Sequence, residues 1–298
     1  MQKYSSLYVF FAASLWGVDA IILRPALYSL PVPLVVFIES SVVALLLTPI
    51  LIKNFDSLKQ LQLKDWIAFG GVALFGGTIG TMSITKALFY VNFVNLSIVV
   101  LIQKLQPIFA LILASFILKE KLPRIFFLWA LIAIIGAYLL TFGSKLPNLE
   151  TGDKTIYAAL FALLAAFSFG FSTVLSKRAL RNVTFTVGAT LRFSFSAIIM
   201  LFISTITNEL SAISDVSTEQ VIVFGIIAFT SGGFAIFLYY YGLKRIPASV
   251  ATIAELAFPF TAILLEYLIR GNIMDSIQWL GAFILIISII RVTRLNVN

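Results

Sequence analysis

Two long apolar stretches, each interrupted at a corresponding place, constrain this chain more than any other feature. Ser97 to Leu122 reads SIVVLIQKLQPIFALILASFILKEKL, and Val250 to Ile273 reads VATIAELAFPFTAILLEYLIRGNI. Each is long enough to cross a bilayer, which takes about 20 apolar residues. A polar residue followed by a proline interrupts each run. Proline inside a helix leaves the carbonyl four residues back without its donor. For Pro107 that carbonyl belongs to Gln103, and for Pro259 it belongs to Glu255. A freed carbonyl and a polar side chain on one residue, at membrane depth, must face protein or a water-filled cavity. A binding site is therefore expected at each kink, and paired interruptions in two halves are the mark of a transport site.

The rest of the sequence sets the class. With 60% hydrophobic and only 11% charged residues, against roughly 45–50% and 25% in soluble domains, the chain is an integral membrane protein with little mass outside the bilayer. It has no cysteine and no histidine, which removes thiolate and histidine-based catalysis and most catalytic zinc sites. No Gly-Lys dipeptide is present, so there is no P-loop to drive work by ATP. No enzyme activity, cofactor or metal is expected.

Apolar periodicity predicts ten spans, near residues 5–28, 32–52, 66–90, 94–118, 124–142, 155–177, 184–206, 220–243, 247–269 and 276–292. Lys3 ahead of an apolar run, with Ala12 and Ala13, has the look of a cleaved leader. Cleavage would leave nine spans and break the symmetry described next, so the first span is expected to be retained. With the N-terminus inside, only Arg24, Lys145, Lys154 and Arg270 fall at outer ends, Lys86, Lys104 and Arg192 lie within spans, and the other fourteen of the 21 basic residues fall at cytoplasmic ends. That bias predicts both termini in the cytoplasm, at the bacterial inner membrane. The net charge of +8 is thus a topology signal and not a nucleic-acid footprint.

The chain also repeats itself. LWGVDAIILRPAL from Leu15 matches SFGFSTVLSKRAL from Ser168, pairing Gly17 with Gly170 and Arg24 with Lys177, and the Pro107 and Pro259 stretches match at an offset of 152. Five spans occurring twice give two inverted repeats, because an odd number of crossings brings the second copy in from the opposite side. The expected division is residues 1–142, a polar linker at 143–154, and residues 155–298. Glycines at four-residue spacing, such as Gly76 and Gly80, suit close helix packing. Trp66, Trp129 and Trp279 read as interface anchors.

At this point the residues resemble a known family. LWG in the first span, ALFYVNFVNLSIVVLIQKLQPIFALILASFILKEKL, and its echo YGLKRIPASVATIAELAFPFTAILLEYLI are similar to the EamA-type repeats of the drug/metabolite transporter superfamily. The resemblance covers nearly the whole chain. It implies an all-α fold of ten transmembrane helices and a secondary transporter, many such proteins being exporters of amino acids and other metabolites. One departure is that Arg270-Gly271-Asn272 stands where the first repeat has Lys119-Glu120-Lys121.

Candidate site residues are the ionisable groups inside spans: Asp19, Glu39, Lys86, Lys104, Arg192, Glu255 and Glu266. Each charge at the bilayer centre costs roughly 2.5–3.5 kcal/mol, so most must face one another or a polar cavity. Lys86 can snorkel to the surface, and Glu266 lies near a mouth. Glu39 and Arg192 are 153 residues apart and approach the midplane; as a pair, or gripping the two ends of a zwitterion, they suggest an amino-acid substrate. Glu255 is the candidate proton carrier unless Lys104 keeps it ionised. Trp16, opposite Phe169 in the other repeat, would wall the cavity. The expected substrate-binding set is Trp16, Asp19, Glu39, Gln103, Lys104, Arg192 and Glu255, with helix kinks at Pro107 and Pro259. The alternatives are a sugar-phosphate or nucleotide-sugar transporter of the same fold, and a passive channel.

Overall fold

The computed structural model describes residues 4–90, 97–146, 154–270 and 273–295. Ten of its helical segments are long and apolar enough to cross a membrane: α1 (Ser5–Leu27), α2 (Val32–Lys53), α3 (Leu63–Ala87), α4 (Leu101–Leu118), α5 (Arg124–Phe142), α6 (Ile156–Ala179), α7 (Phe185–Ile206), α8 (Thr218–Leu243), α9 (Ala248–Ile269) and α10 (Ser276–Thr293). All ten expected spans are present. Expected residues 94–96 of the fourth span, most of the linker (147–153) and Gly271-Asn272 lie outside the described residues. Large apolar side chains such as Leu45, Phe116, Phe229 and Phe283 stand exposed around the bundle, as a lipid-facing surface requires.

Helices α1 and α6 are central. Gly17 on α1 sits against the backbone of Phe258 and Ala262 on α9, and Gly242 on α8 sits against Ser5 and Val9 of α1. Gly170 on α6 sits in the same way against Gln106 and Ala110 on α4. On its other flank α6 meets α3, where Gly76 abuts Ser172 and Gly80 abuts Phe169. Phe169 therefore packs its ring on α3. A third close pair, α5 with α10, is built on Gly136 and Gly281. Without side chains at the crossings, helix backbones approach closely and gain dispersion contact, which is the main attraction left once both surfaces are already in lipid.

Five spans depart from regular α-helix. Helix α4 stops at Gln103 and restarts at Gln106, and α9 stops at Ala254 and restarts at Ala257. The breaks consist of Lys104-Leu105 and Glu255-Leu256. They precede the prolines rather than coincide with them, and Lys104, not Gln103, stands at the place corresponding to Glu255. The expected free carbonyl at Glu255 is also occupied, since the Phe258 amide donates to it at 3.0 Å. Helices α1, α3, α4 and α8 contain π-helical turns at Asp19–Leu23, Ala73–Gly80, Ala114–Leu118 and Ala228–Gly232. Such bulges cluster at functional sites because they free carbonyls and re-aim side chains.

Candidate functional site

The break in α9 presents Glu255 to three neighbouring helices. Tyr239 on α8 donates its hydroxyl to Glu255 Oε1 at 2.7 Å, and Thr173 on α6 donates to the same oxygen at 3.2 Å. Gln106, the first residue after the break in α4, donates Nε2 to Oε2 at 3.0 Å. The two broken helices thus meet through their interruptions, with α6 and α8 closing the group. Helix α1 supplies the next layer: the Trp16 ring lies 5.3 Å from that of Tyr239, and Trp16 Nε1 donates at 3.0 Å to the Ser231 carbonyl in the π-helical turn of α8. That turn exposes the carbonyl which holds the indole in place.

Beside this group, Ser176 and Tyr240 share a hydrogen bond of 3.1 Å. The Arg192 guanidinium lies 5.9 Å from the centre of the Tyr240 ring and 6.0 Å from that of Phe193. Its charge acts on Glu255, although no ion pair joins the two. Arg192 lies beside Gly76, where an added methyl would collide with Ser172 and come within 3.9 Å of the guanidinium. One carboxylate, one guanidinium, two tyrosines and an indole therefore converge in the half of the bundle nearer the chain termini.

Glu39 and Arg192 do not pair. Glu39 Oε1 accepts from Arg24 Nη1 at 2.7 Å, and Arg24 also grips Asp19 Oδ2, through Nη2 at 2.6 Å and Nε at 3.2 Å. The reason is depth. Glu39 lies seven residues into α2 from one face and Arg192 seven residues into α7 from the other, so each is about 10 Å in at 1.5 Å per residue. In helices about 33 Å long that leaves roughly 12 Å between their levels. Residues at matching positions of oppositely directed helices share a level only at the midplane.

The other candidates divide. Gln103 donates to the Ala162 carbonyl at 3.0 Å, away from Glu255. Lys104 is 8% exposed, and its ammonium makes no hydrogen bond or ion pair among the described residues. Lys86 is exposed at the end of α3, and Glu266 is half-buried near the end of α9. Members of these clusters absent from the expected site set include Arg24, Gln106, Thr173, Ser176, Tyr239 and Tyr240. Of these, Gln106 carries a sequence signal, since it directly precedes Pro107 in an apolar run.

The sequence pattern of the EamA-like transporter family matches this chain twice, over residues 3–142 and 156–294. The chain belongs to the EamA-like transporter family. Among curated relatives of this EamA-like chain, the riboflavin transporter ImpX of Fusobacterium nucleatum subsp. nucleatum is 46% identical over 292 residues, covering 98% of both chains. An uncharacterised transporter of Synechocystis is 26% identical over 243 residues, covering 80% of this chain and 68% of its own. A crystal structure at 17% identity superposes with a TM-score of 0.75 over 97% of this chain and 96% of that one; at that identity the likeness is one of fold. The chain is thus a small-metabolite transporter embedded in the membrane and not an enzyme.

Proposed function

We propose that this chain transports riboflavin or a closely related flavin, with the Glu255 group as its site. The observation that carries this reading is the 46% identity, end to end, with a riboflavin transporter. The chemistry of the site supports it. Riboflavin offers a flat tricyclic ring, an imide N–H between two carbonyls, and a chain of hydroxyls. Trp16, Tyr239 and Tyr240 offer aromatic faces, and rings stack on one another with a gain of about 0.5–1.5 kcal/mol beyond the area they bury. A carboxylate accepts about four hydrogen bonds; Glu255 receives three, from Tyr239, Thr173 and Gln106, which leaves a position for the imide N–H. Arg192 supplies donors for a carbonyl.

The flavin reading replaces the amino-acid one. The case for a zwitterion depends on a Glu39 and Arg192 pair, and Glu39 is engaged by Arg24. Transport by alternating access suits a chain whose two family matches each contain a broken helix, and we read the halves as inverted repeats with both termini in the cytoplasm, on the strength of the basic-residue bias.

The test is counterflow in proteoliposomes. Vesicles loaded with unlabelled riboflavin are diluted into labelled riboflavin, with a mixture of amino acids as the competing solute. Expected is a transient accumulation of label above equilibrium, which a passive channel cannot produce, and which amino acids do not inhibit. Absence of flavin counterflow from correctly folded protein overturns the reading.

A further inference from the structure

The Arg24 cluster takes no part in the Glu255 site, and its charges do not balance. Two carboxylates, Asp19 on α1 and Glu39 on α2, share one guanidinium. Asp19 is 6% exposed, and its second oxygen, Oδ1, is buried without a hydrogen-bond partner among the described residues. A second orphan lies on the turn that holds Trp16. Ser231 is 4% exposed, and its hydroxyl is also buried without a partner among the described residues. It belongs to the π-helical turn whose carbonyl holds Trp16, and Trp16 is three residues before Asp19, so both project from one face of α1.

A carboxylate oxygen buried in apolar surroundings without a partner is costly, and so is a net negative charge at membrane depth. One added positive charge at Oδ1 removes both costs. We propose that Asp19, with Glu39 and Arg24 behind it, forms a cation site that takes up one monovalent cation, a proton or a sodium ion, during the transport cycle. On the segments packed against this turn, Ser5–Val18, Thr218–Ile227 and Ala257–Arg270, the other ionisable groups are Tyr8, Glu219, Glu266, Tyr267 and Arg270.

The site is separate from the flavin site yet joined to it through α1. Asp19 is fourteen residues into α1, and Glu255 is seven residues into α9 from the same face, so they differ in level by roughly 10 Å. Between them stands Trp16, which leans on Tyr239. Asp19 also opens the π-helical turn Asp19–Leu23, two residues after the Gly17 crossing on α9. Neutralising Asp19 changes its hold on Arg24 and hence the tie between α1 and α2. A ligand couples to a conformational change only through a difference in affinity for the two states, and the tie is where that difference would arise.

The inference rests on the reading of the chain as a transporter, but not on its substrate. The experiment is therefore done without flavin: proteoliposomes on a solid-supported membrane are given a pH jump or a sodium jump, and the displaced charge is recorded. Expected is a transient current in one of the two jumps, which names the cation, reduced at least tenfold in Asp19→Asn and retained in Asp19→Glu. If Asp19→Asn is not monodisperse in detergent, Glu39→Gln is used, with a shift of at least tenfold in the cation concentration giving half-maximal current. No current in either jump, or currents unchanged in both variants, overturns the proposal. Failure of riboflavin counterflow with the currents present overturns only the flavin reading.

Discussion

Gln106 Nε2 lies 3.0 Å from Glu255 Oε2, and this one hydrogen bond joins the break of α4 to the break of α9. Each break ends a helix before its proline, so each side chain leaves its helix at a point where the backbone turns. A continuous helix in either place would carry Gln106 or Glu255 to another face. The bond is thus a consequence of two interruptions, and it ties together the two segments whose relative movement would open the site.

The first prediction concerns Tyr239. Its hydroxyl makes the shortest contact to Glu255, and hydrogen bonds to charged groups contribute about 1.5–3 kcal/mol. Tyr239→Phe keeps the ring against Trp16 and removes only the hydroxyl, with its contacts to Glu255 and, at 3.0 Å, to Thr173. Riboflavin affinity, followed by quenching of flavin fluorescence on the purified protein, is expected to fall by about tenfold or more, at about 1.4 kcal/mol per decade. An unchanged affinity would remove Glu255 from the flavin site.

Glu120 carries the second. Its carboxylate receives the Ala248 amide at 2.7 Å, the Ser249 amide at 3.1 Å and the Ser249 hydroxyl at 2.6 Å. It therefore caps the start of α9 from the far end of α4, aimed there by Lys119 in a left-handed conformation at φ 58°. Loss of a side-chain cap costs about 0.5–2 kcal/mol. Glu120→Ala is expected to lower the unfolding midpoint in detergent, and Ser249→Ala to add little once Glu120 is gone. Full additivity of the two substitutions would show that they do not act as one unit.

The spans are legible in the sequence because a run of about 20 apolar residues matches the thickness of a bilayer and suits little else, and Glu255 is legible because a carboxylate beside a proline in such a run demands a partner. The partners are not. Thr173 and Tyr239 are ordinary in a membrane helix, and nothing local marks the face they occupy. Counting back from Pro107 along a continuous helix favours Gln103 over Gln106, whereas the chain breaks at Lys104-Leu105 and turns Gln106 toward α9. Arg24 reads as a helix-end residue, but α1 continues through a π-helical turn and a 3₁₀ turn, Arg24–Leu27, which keeps the guanidinium beside Asp19. The Glu39 and Arg192 pairing fails for the same kind of reason: sequence offset gives correspondence, and depth decides contact.

Glycine substitutions provide a third prediction with its own control. A methyl at position 17 would meet the Phe258 carbonyl oxygen and the Thr261 Cβ at 2.9 Å each, whereas one at position 70 meets nothing within 4 Å. Overpacking of a tight contact costs about 1–3 kcal/mol, while glycine in an open helical position is about 0.8–1.0 kcal/mol worse than alanine. Gly17→Ala is expected to lower the thermal midpoint and Gly70→Ala to leave it unchanged or raise it. Equal effects would mean that α1 and α9 do not cross where Gly17 lies.

The last prediction is a pH dependence outside the bilayer. Asp275 caps α10, accepting the Gln278 amide at 2.7 Å, and also accepts the Ser144 amide at 3.1 Å, so it fastens the end of α5 to the start of α10 beside Gly143. The Gln278 amide first, and then that of Ser144, holds its carboxyl below the ordinary aspartate range. A carboxyl whose folded value is depressed stabilises the fold fully above its unfolded value, about 3.9, and that contribution is lost as pH falls through the folded value beneath it. Thermal unfolding in detergent is therefore expected to show a loss of stability below about pH 4 that is smaller in Asp275→Asn. The asparagine oxygen can still cap the helix, so the variant removes the titration while keeping the geometry. An acid limb of the same size in both proteins would assign it to other carboxyls.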